Sequence, residues 1–174
     1  MKRSALILLL LGIFASPLLQ AESSYGGILI GQIEADDIDT GNLGLMGGIT
    51  ASNGFGVEAF YASTVAKDSD SFAGFELETS IDAYGLLGTY QTSGDTYVKF
   101  KAGLAIVQIE FDLENASGED DDESGLAFGL GAGTKIGNGV IELNYLVLPE
   151  FEDFRNTSDD AEVDMISLSY LWNF

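Results

Sequence analysis

The run Gly125-Leu126-Ala127-Phe128-Gly129-Leu130-Gly131-Ala132-Gly133-Thr134-Lys135-Ile136 is followed by Gly137-Asn138-Gly139 and then by Val140-Ile141-Glu142-Leu143-Asn144-Tyr145-Leu146-Val147-Leu148. Its period is two. Leu126, Phe128, Leu130, Ala132, Thr134 and Ile136 share one side of an extended chain, and Gly125, Ala127, Gly129, Gly131, Gly133 and Lys135 share the other. After the Gly-Asn-Gly turn, Ile141, Leu143, Tyr145 and Val147 oppose Glu142 and Asn144. One face is bulky and apolar, the other small or charged. A water-soluble barrel places its apolar residues inside. Here the bulky face suits lipid, and the small face suits a narrow lumen.

The same grammar runs outward in both directions. Eight segments rich in Tyr, Phe, Leu, Ile, Val and Gly cover Tyr25–Ile33, Leu43–Ser52, Phe55–Thr64, Ser80–Gln91, Thr96–Phe111, Gly125–Ile136, Val140–Leu148 and Glu162–Phe174. Tight turns follow the second, fourth and sixth: Asn53-Gly54, Thr92-Ser93-Gly94-Asp95 and Gly137-Asn138-Gly139. Longer acidic connections are expected after the others, at Glu34–Gly41, Val65–Thr79, Asp112–Ser124 and Pro149–Asp160. Short turns at one end and long loops at the other characterise an outer-membrane barrel. The expected fold is all-β, an eight-stranded antiparallel up-and-down transmembrane β-barrel.

The first residues read as a targeting device. Lys2 and Arg3 precede an apolar run from Ala5 to Leu19, and Leu19-Gln20-Ala21 suits cleavage after Ala21. The apolar run falls short of the roughly 20 residues that a spanning helix needs. The expected organisation is therefore a signal peptide at 1–21 and a barrel at 22–174. Any crossing of a membrane by the mature chain then requires a closed barrel.

Composition excludes several functions. The 174 residues carry 7 bases against 28 acids, which is a poor match to nucleic-acid phosphates. With no cysteine and no histidine, disulfides, thiolate metal sites and Ser-His or Cys-His catalysis are all removed. Gly129-Leu130-Gly131-Ala132-Gly133-Thr134-Lys135 lacks the Gly-Lys-Ser/Thr ending of a phosphate loop. No enzymatic activity and no cofactor are expected.

Removing Lys2 and Arg3 leaves five basic residues. Lys99, Lys101 and Lys135 fall on the expected inner face together with Glu58 and Glu142, and a lumen ionic cluster of these five is expected. A slip by one residue would turn each lysine to lipid at roughly 2–4 kcal/mol at the midplane. Eight strands leave an interior that side chains fill, which favours a plug over a pore.

In the last segment Ile166, Leu168, Tyr170, Trp172 and Phe174 alternate with Ser167, Ser169, Leu171 and Asn173. A terminal Phe with aromatics two and four residues before it resembles the assembly signal of Gram-negative outer-membrane proteins, and implies the barrel-assembly machinery as a partner during biogenesis. With Phe55-Gly56-Val57-Glu58-Ala59-Phe60-Tyr61, Tyr97-Val98-Lys99-Phe100-Lys101-Ala102-Gly103 and Ile141-Glu142-Leu143-Asn144-Tyr145, the mature chain resembles the small eight-stranded barrels of the OmpA-like and opacity-type group. In that group inner-face lysine or arginine and glutamate pairs bridge the lumen, and the five charges above match that pattern. The resemblance implies export to the outer membrane and contact with its lipid and lipopolysaccharide. No peptidoglycan-binding domain is expected after Phe174.

The acidic run Glu119-Asp120-Asp121-Asp122-Glu123 is a weak candidate for divalent cations and, through them, for lipopolysaccharide. It lacks the spacing of a calcium loop, and charge runs are ordinarily solvated. The expected function is a non-enzymatic structural or surface-interaction barrel with a plugged lumen and acidic extracellular loops. The alternative is a small pore or ligand channel.

Overall fold

Large and small residues alternating at a period of two favour extended backbone, and nine extended segments follow one another among the described residues. The computed structural model describes residues 21–36, 38–72, 75–113, 119–151 and 161–174. The segments are β1 (Ala21–Ala35), β2 (Ile38–Ala51), β3 (Phe55–Ala66), β4 (Asp68–Phe72), β5 (Phe75–Gln91), β6 (Thr96–Leu113), β7 (Glu119–Ile136), β8 (Gly139–Phe151) and β9 (Ala161–Asn173). Only Lys67 separates β3 from β4, and both pair with β5, so the two form one stave. Each stave pairs antiparallel with the next. β1 then pairs with β9 from Tyr25↔Asn173 to Ala35↔Val163, which closes an eight-stranded up-and-down barrel without a free edge at that seam. The signal peptide expected at 1–21 lies outside the described residues up to position 20, and Ala21 already belongs to β1.

The two faces fall as the alternation dictates. Ile28, Ile30, Leu45, Phe100, Phe128 and Leu143 are among the large apolar side chains exposed on the outside. Tyr25, Leu29 and Ile33 of the first segment, whose two faces are both apolar in sequence, turn inward and are buried. Three short turns sit together with both strand ends: Gly54 (φ 85°), Gly94 (φ 131°) and Gly137 (φ 60°) all adopt backbone that side chains disfavour.

The opposite end differs from the expectation of long loops. β1 runs on to Ala35 and β2 starts at Ile38, with Ala35 facing Ile38 across a tight turn. β4 and β5 pair up to Phe72↔Phe75, and Glu119–Ser124 is strand, paired with β6 from Phe111↔Glu119 onward. Acidic residues, read in sequence as loop signals, continue the alternation with its polarity reversed. Glu34, Asp39, Gln108, Glu110 and Glu162 are exposed outward, while Ile33, Ile38, Val107, Ile109 and Val163 are buried inward. The barrel thus has two zones: one apolar outside and charged inside, and one polar outside and apolar inside. The second is the pattern of a water-soluble barrel. The remaining parts of the expected loops, 37, 73–74, 114–118 and 152–160, lie outside the described residues.

Candidate functional site

Three strands build each half of the lumen site, and the two halves repeat. Tyr25 of β1 stands opposite Gly48 of β2, which stands opposite Glu58 of β3. Tyr97 of β6 stands opposite Gly133 of β7, which stands opposite Glu142 of β8. In both rows the glycine leaves a gap and the tyrosine ring lies across it. The phenol then reaches the glutamate beyond: Tyr25 OH donates to Glu58 Oε2 at 2.6 Å, and Tyr97 OH to Glu142 Oε2 at 2.6 Å.

Lys99 and Lys101, inward neighbours on β6, enter between the two glutamates. Lys99 Nζ lies 3.0 Å from Glu58 Oε2 and 2.7 Å from Glu142 Oε2. Lys101 Nζ bonds Glu58 Oε1 and lies 3.0 Å from Glu142 Oε1. Each lysine bridges both acids, and each acid takes both lysines and one phenol. Lys99 Nζ also sits 4.7 Å from the centroid of the Tyr25 ring and 5.6 Å from that of Tyr97, where the ring faces attract it. All four charged side chains are buried, at 0–3% exposure. A quartet of two positive and two negative charges with every carboxylate oxygen engaged offsets the desolvation that an isolated pair would suffer.

Lys135 is not a member, contrary to the sequence expectation. It faces inward only at the last strand positions before the Gly137 turn, so its stem leads out through the barrel mouth. Its side chain is half exposed, and its ammonium pairs with Asp95 at 3.5 Å. Between it and the quartet lies a cup of about 220 Å³ lined by Lys99, Lys135, Tyr97, Thr50, Gln91 and Asn173. The tyrosines were the members that sequence reasoning missed. Their signal was present in retrospect: an inward tyrosine opposite an inward glycine, twice.

The residues of the expected assembly signal lie as the alternation places them. Ile166, Leu168, Tyr170 and Trp172 face outward on β9, Tyr170 and Trp172 meeting edge to face at 5.0 Å. Phe174 is 82% exposed, and its backbone N–H bonds Ser24 O at 2.8 Å across the closing seam. The acidic run Glu119, Asp120, Asp121, Asp122 and Glu123 belongs to the extended backbone of β7. Among the described residues no group of three acids is placed to hold a metal.

Comparison with known proteins places this architecture. A family model described as outer membrane protein beta-barrel domain matches residues 6–174. No curated protein matches the sequence. Several solved structures share the fold. Ail, the attachment invasion locus protein of Yersinia pestis, in complex with a heparin analogue, is 16% identical with a TM-score of 0.59, covering 87% of this chain and 97% of that one. The N-terminal barrel domain of OprF from Pseudomonas aeruginosa is 14% identical with a TM-score of 0.60, covering 89% and 100%. OprG from the same organism is 14% identical with a TM-score of 0.62, covering 89% and 97%.

Proposed function

From the premise that this chain belongs to the outer-membrane protein beta-barrel domain family and resides in the Gram-negative outer membrane, we propose that it is a non-enzymatic barrel with a plugged lumen and a surface-interaction role. The carrying observation is the quartet of Glu58, Lys99, Lys101 and Glu142 spanning the lumen with every charged group paired. Above it Leu29, Ile33, Ile81, Ile109, Leu146 and Met165 fill the interior with apolar atoms and are fully buried. An ion crossing this barrel must break the quartet and then enter an apolar layer, and both steps are costly. The absence of histidine and cysteine from the sequence supports the non-enzymatic reading.

The partner side is argued from charge. Outward carboxylates at the long-strand end, including Glu34, Asp39, Glu110, Asp122 and Glu162, favour cationic partners and divalent ions that bridge to lipopolysaccharide phosphate. Ail held a polyanion, a heparin analogue. The acidic exterior of this chain has the opposite preference. The barrel-assembly machinery is the partner during biogenesis, through the outward face of β9.

Conductance in planar bilayers tests the plug. The purified barrel is expected to give no steady openings. Steady openings of the unaltered protein would replace the plug with the pore reading.

A further inference from the structure

The outward apolar stretch of a strand ends in polar limits, and its length differs between opposite sides of the barrel. On β1, Ser24 and Gln32 bound Gly26, Ile28 and Ile30, and exposed Glu34 follows on the same face. On β6, four staves away, Thr96 and Gln108 bound five outward apolar residues from Val98 to Ile106, and exposed Glu110 follows. Both lower limits stand at the short-turn mouth. Ser24 O accepts the N–H of Phe174 at 2.8 Å, and Thr96 Oγ1 lies 3.1 Å from Thr134 Oγ1, just past the Gly94 turn. Between β3 and β5, and again between β8 and β9, an outward tyrosine marks the upper limit. Tyr61 OH donates to Asp82 at 3.4 Å and Tyr145 OH to Asp164 at 2.9 Å.

At about 3.3 Å per residue and a strand tilt of about 40°, the step from Ser24 to Gln32 rises about 20 Å along the barrel axis. The step from Thr96 to Gln108 rises about 30 Å on the same terms. We propose that this barrel fits a bilayer of uneven thickness, its hydrocarbon thinned beside β1 and full beside β6. The difference falls in the outer leaflet, because the lower limits share the mouth and the upper limits stand at different heights. A flat, thick bilayer would carry Gln32 and the Glu34 carboxylate into hydrocarbon, away from water. A flat, thin one would leave Ile106 and its apolar neighbours on β6 among hydrated headgroups and forfeit their burial. Tilting the barrel lifts one side at both ends together, so it leaves the two heights unequal. Lipid chains yield to mismatch at a modest cost per ångström, and here the lipid yields while both polar limits stay in water. Short acyl chains are therefore the partners that the β1 side favours.

The chain has no cysteine, so a single nitroxide label can be placed in turn at Ser24→Cys, Gln32→Cys and Ile106→Cys. Each barrel is refolded into dimyristoylphosphatidylcholine vesicles, its fold checked by heat-modifiability. Collision of the label with oxygen and with a nickel chelate reads its depth. The labels at Ser24 and Gln32 are expected at headgroup level, and that at Ile106 about 5 Å inside the hydrocarbon, two residues below Gln108. A Gln32 label in hydrocarbon means a flat, thick bilayer, and an Ile106 label at headgroup level means a flat, thin one. A Ser24 label in hydrocarbon means a tilted barrel. Any of the three overturns the proposal. The unlabelled variant Gln32→Ile/Glu34→Ile, which lengthens the β1 stretch, gives a second measurement. Its folded yield in dioleoyl relative to dimyristoyl vesicles should rise about fivefold over that of the unaltered barrel. An unchanged ratio overturns the proposal equally.

Discussion

Tyr97 occupies the space that a side chain on Gly133 would need: a Cβ there would stand 2.4 Å from the phenol Cζ. The same relationship recurs four staves away, on the opposite side of the barrel, where a Cβ on Gly48 would stand 2.6 Å from Tyr25 OH. Neither glycine is there for backbone freedom. Each is there so that a tyrosine can lie flat across its strand and reach a glutamate on the next.

Gly133→Ala should therefore act through the tyrosine. The methyl forces the Tyr97 ring away and breaks its bond to Glu142, at about 1–3 kcal/mol as for overpacking elsewhere. Combining it with Tyr97→Ala should cost less than the two separate losses added together. Urea midpoints of the refolded variants measure this, and additive losses would mean that the two residues are not coupled.

Removing one acid from the quartet leaves a buried lysine without half its partners. Glu142→Gln should destabilise the barrel by about 3–5 kcal/mol. Adding Lys99→Met should restore part of that loss, because the uncompensated charge leaves with it. Lys135→Met should have little effect, at most the ~1 kcal/mol of an exposed pair. Heat-modifiability on unboiled gels and urea titration rank the three, and a large loss for Lys135→Met would contradict its position at the mouth.

Asp36 has φ 55°, a left-handed conformation, in the tight turn between Ala35 and Ile38. Asp36→Gly should be neutral or stabilising, since glycine adopts that backbone freely. Asp36→Val should cost roughly 1–2 kcal/mol. The difference between the two variants in the urea midpoint is the readout, and equal midpoints would show that the turn relaxes.

Phe174 is expected to govern assembly more than final stability. With 82% of it exposed in the structure and one backbone bond to Ser24, its deletion should cost only about 1–3 kcal/mol in detergent refolding. In cells the same deletion should deplete the protein from the outer membrane, through loss of the assembly signal. Fractionation beside in vitro refolding compares the two, and equal loss in both would assign Phe174 a purely structural role.

Several features were legible before any tertiary information. Alternation in Leu126–Ile136 and Val140–Leu148 identified the inner and outer faces, and Asn53-Gly54 and Gly137-Asn138-Gly139 marked hairpins where they occur. The extent of the strands was not legible at the other end. Acids such as Glu34, Asp39 and Asp122 signal a loop when counted as composition. They signal the outer face of a strand once Ile33, Ile38 and Val107 are known to be packed together.

What the sequence by itself determined is everything that depends on neighbours along the chain. A period of two is a local property of extended backbone, so it assigns each residue to lipid or lumen and demands closure of a membrane-spanning sheet. What only the tertiary structure decided is which inward residues meet. Lys99 and Lys101 of β6 reach Glu58 of β3 and Glu142 of β8, while Lys135, inward by the same parity, reaches neither. Those meetings depend on the stagger of strands around the barrel and on the length of each side chain across the lumen. Both are set by the closed ladder as a whole, from Tyr25↔Asn173 at the seam to Gly133↔Glu142 on the far side, and no single strand carries that information.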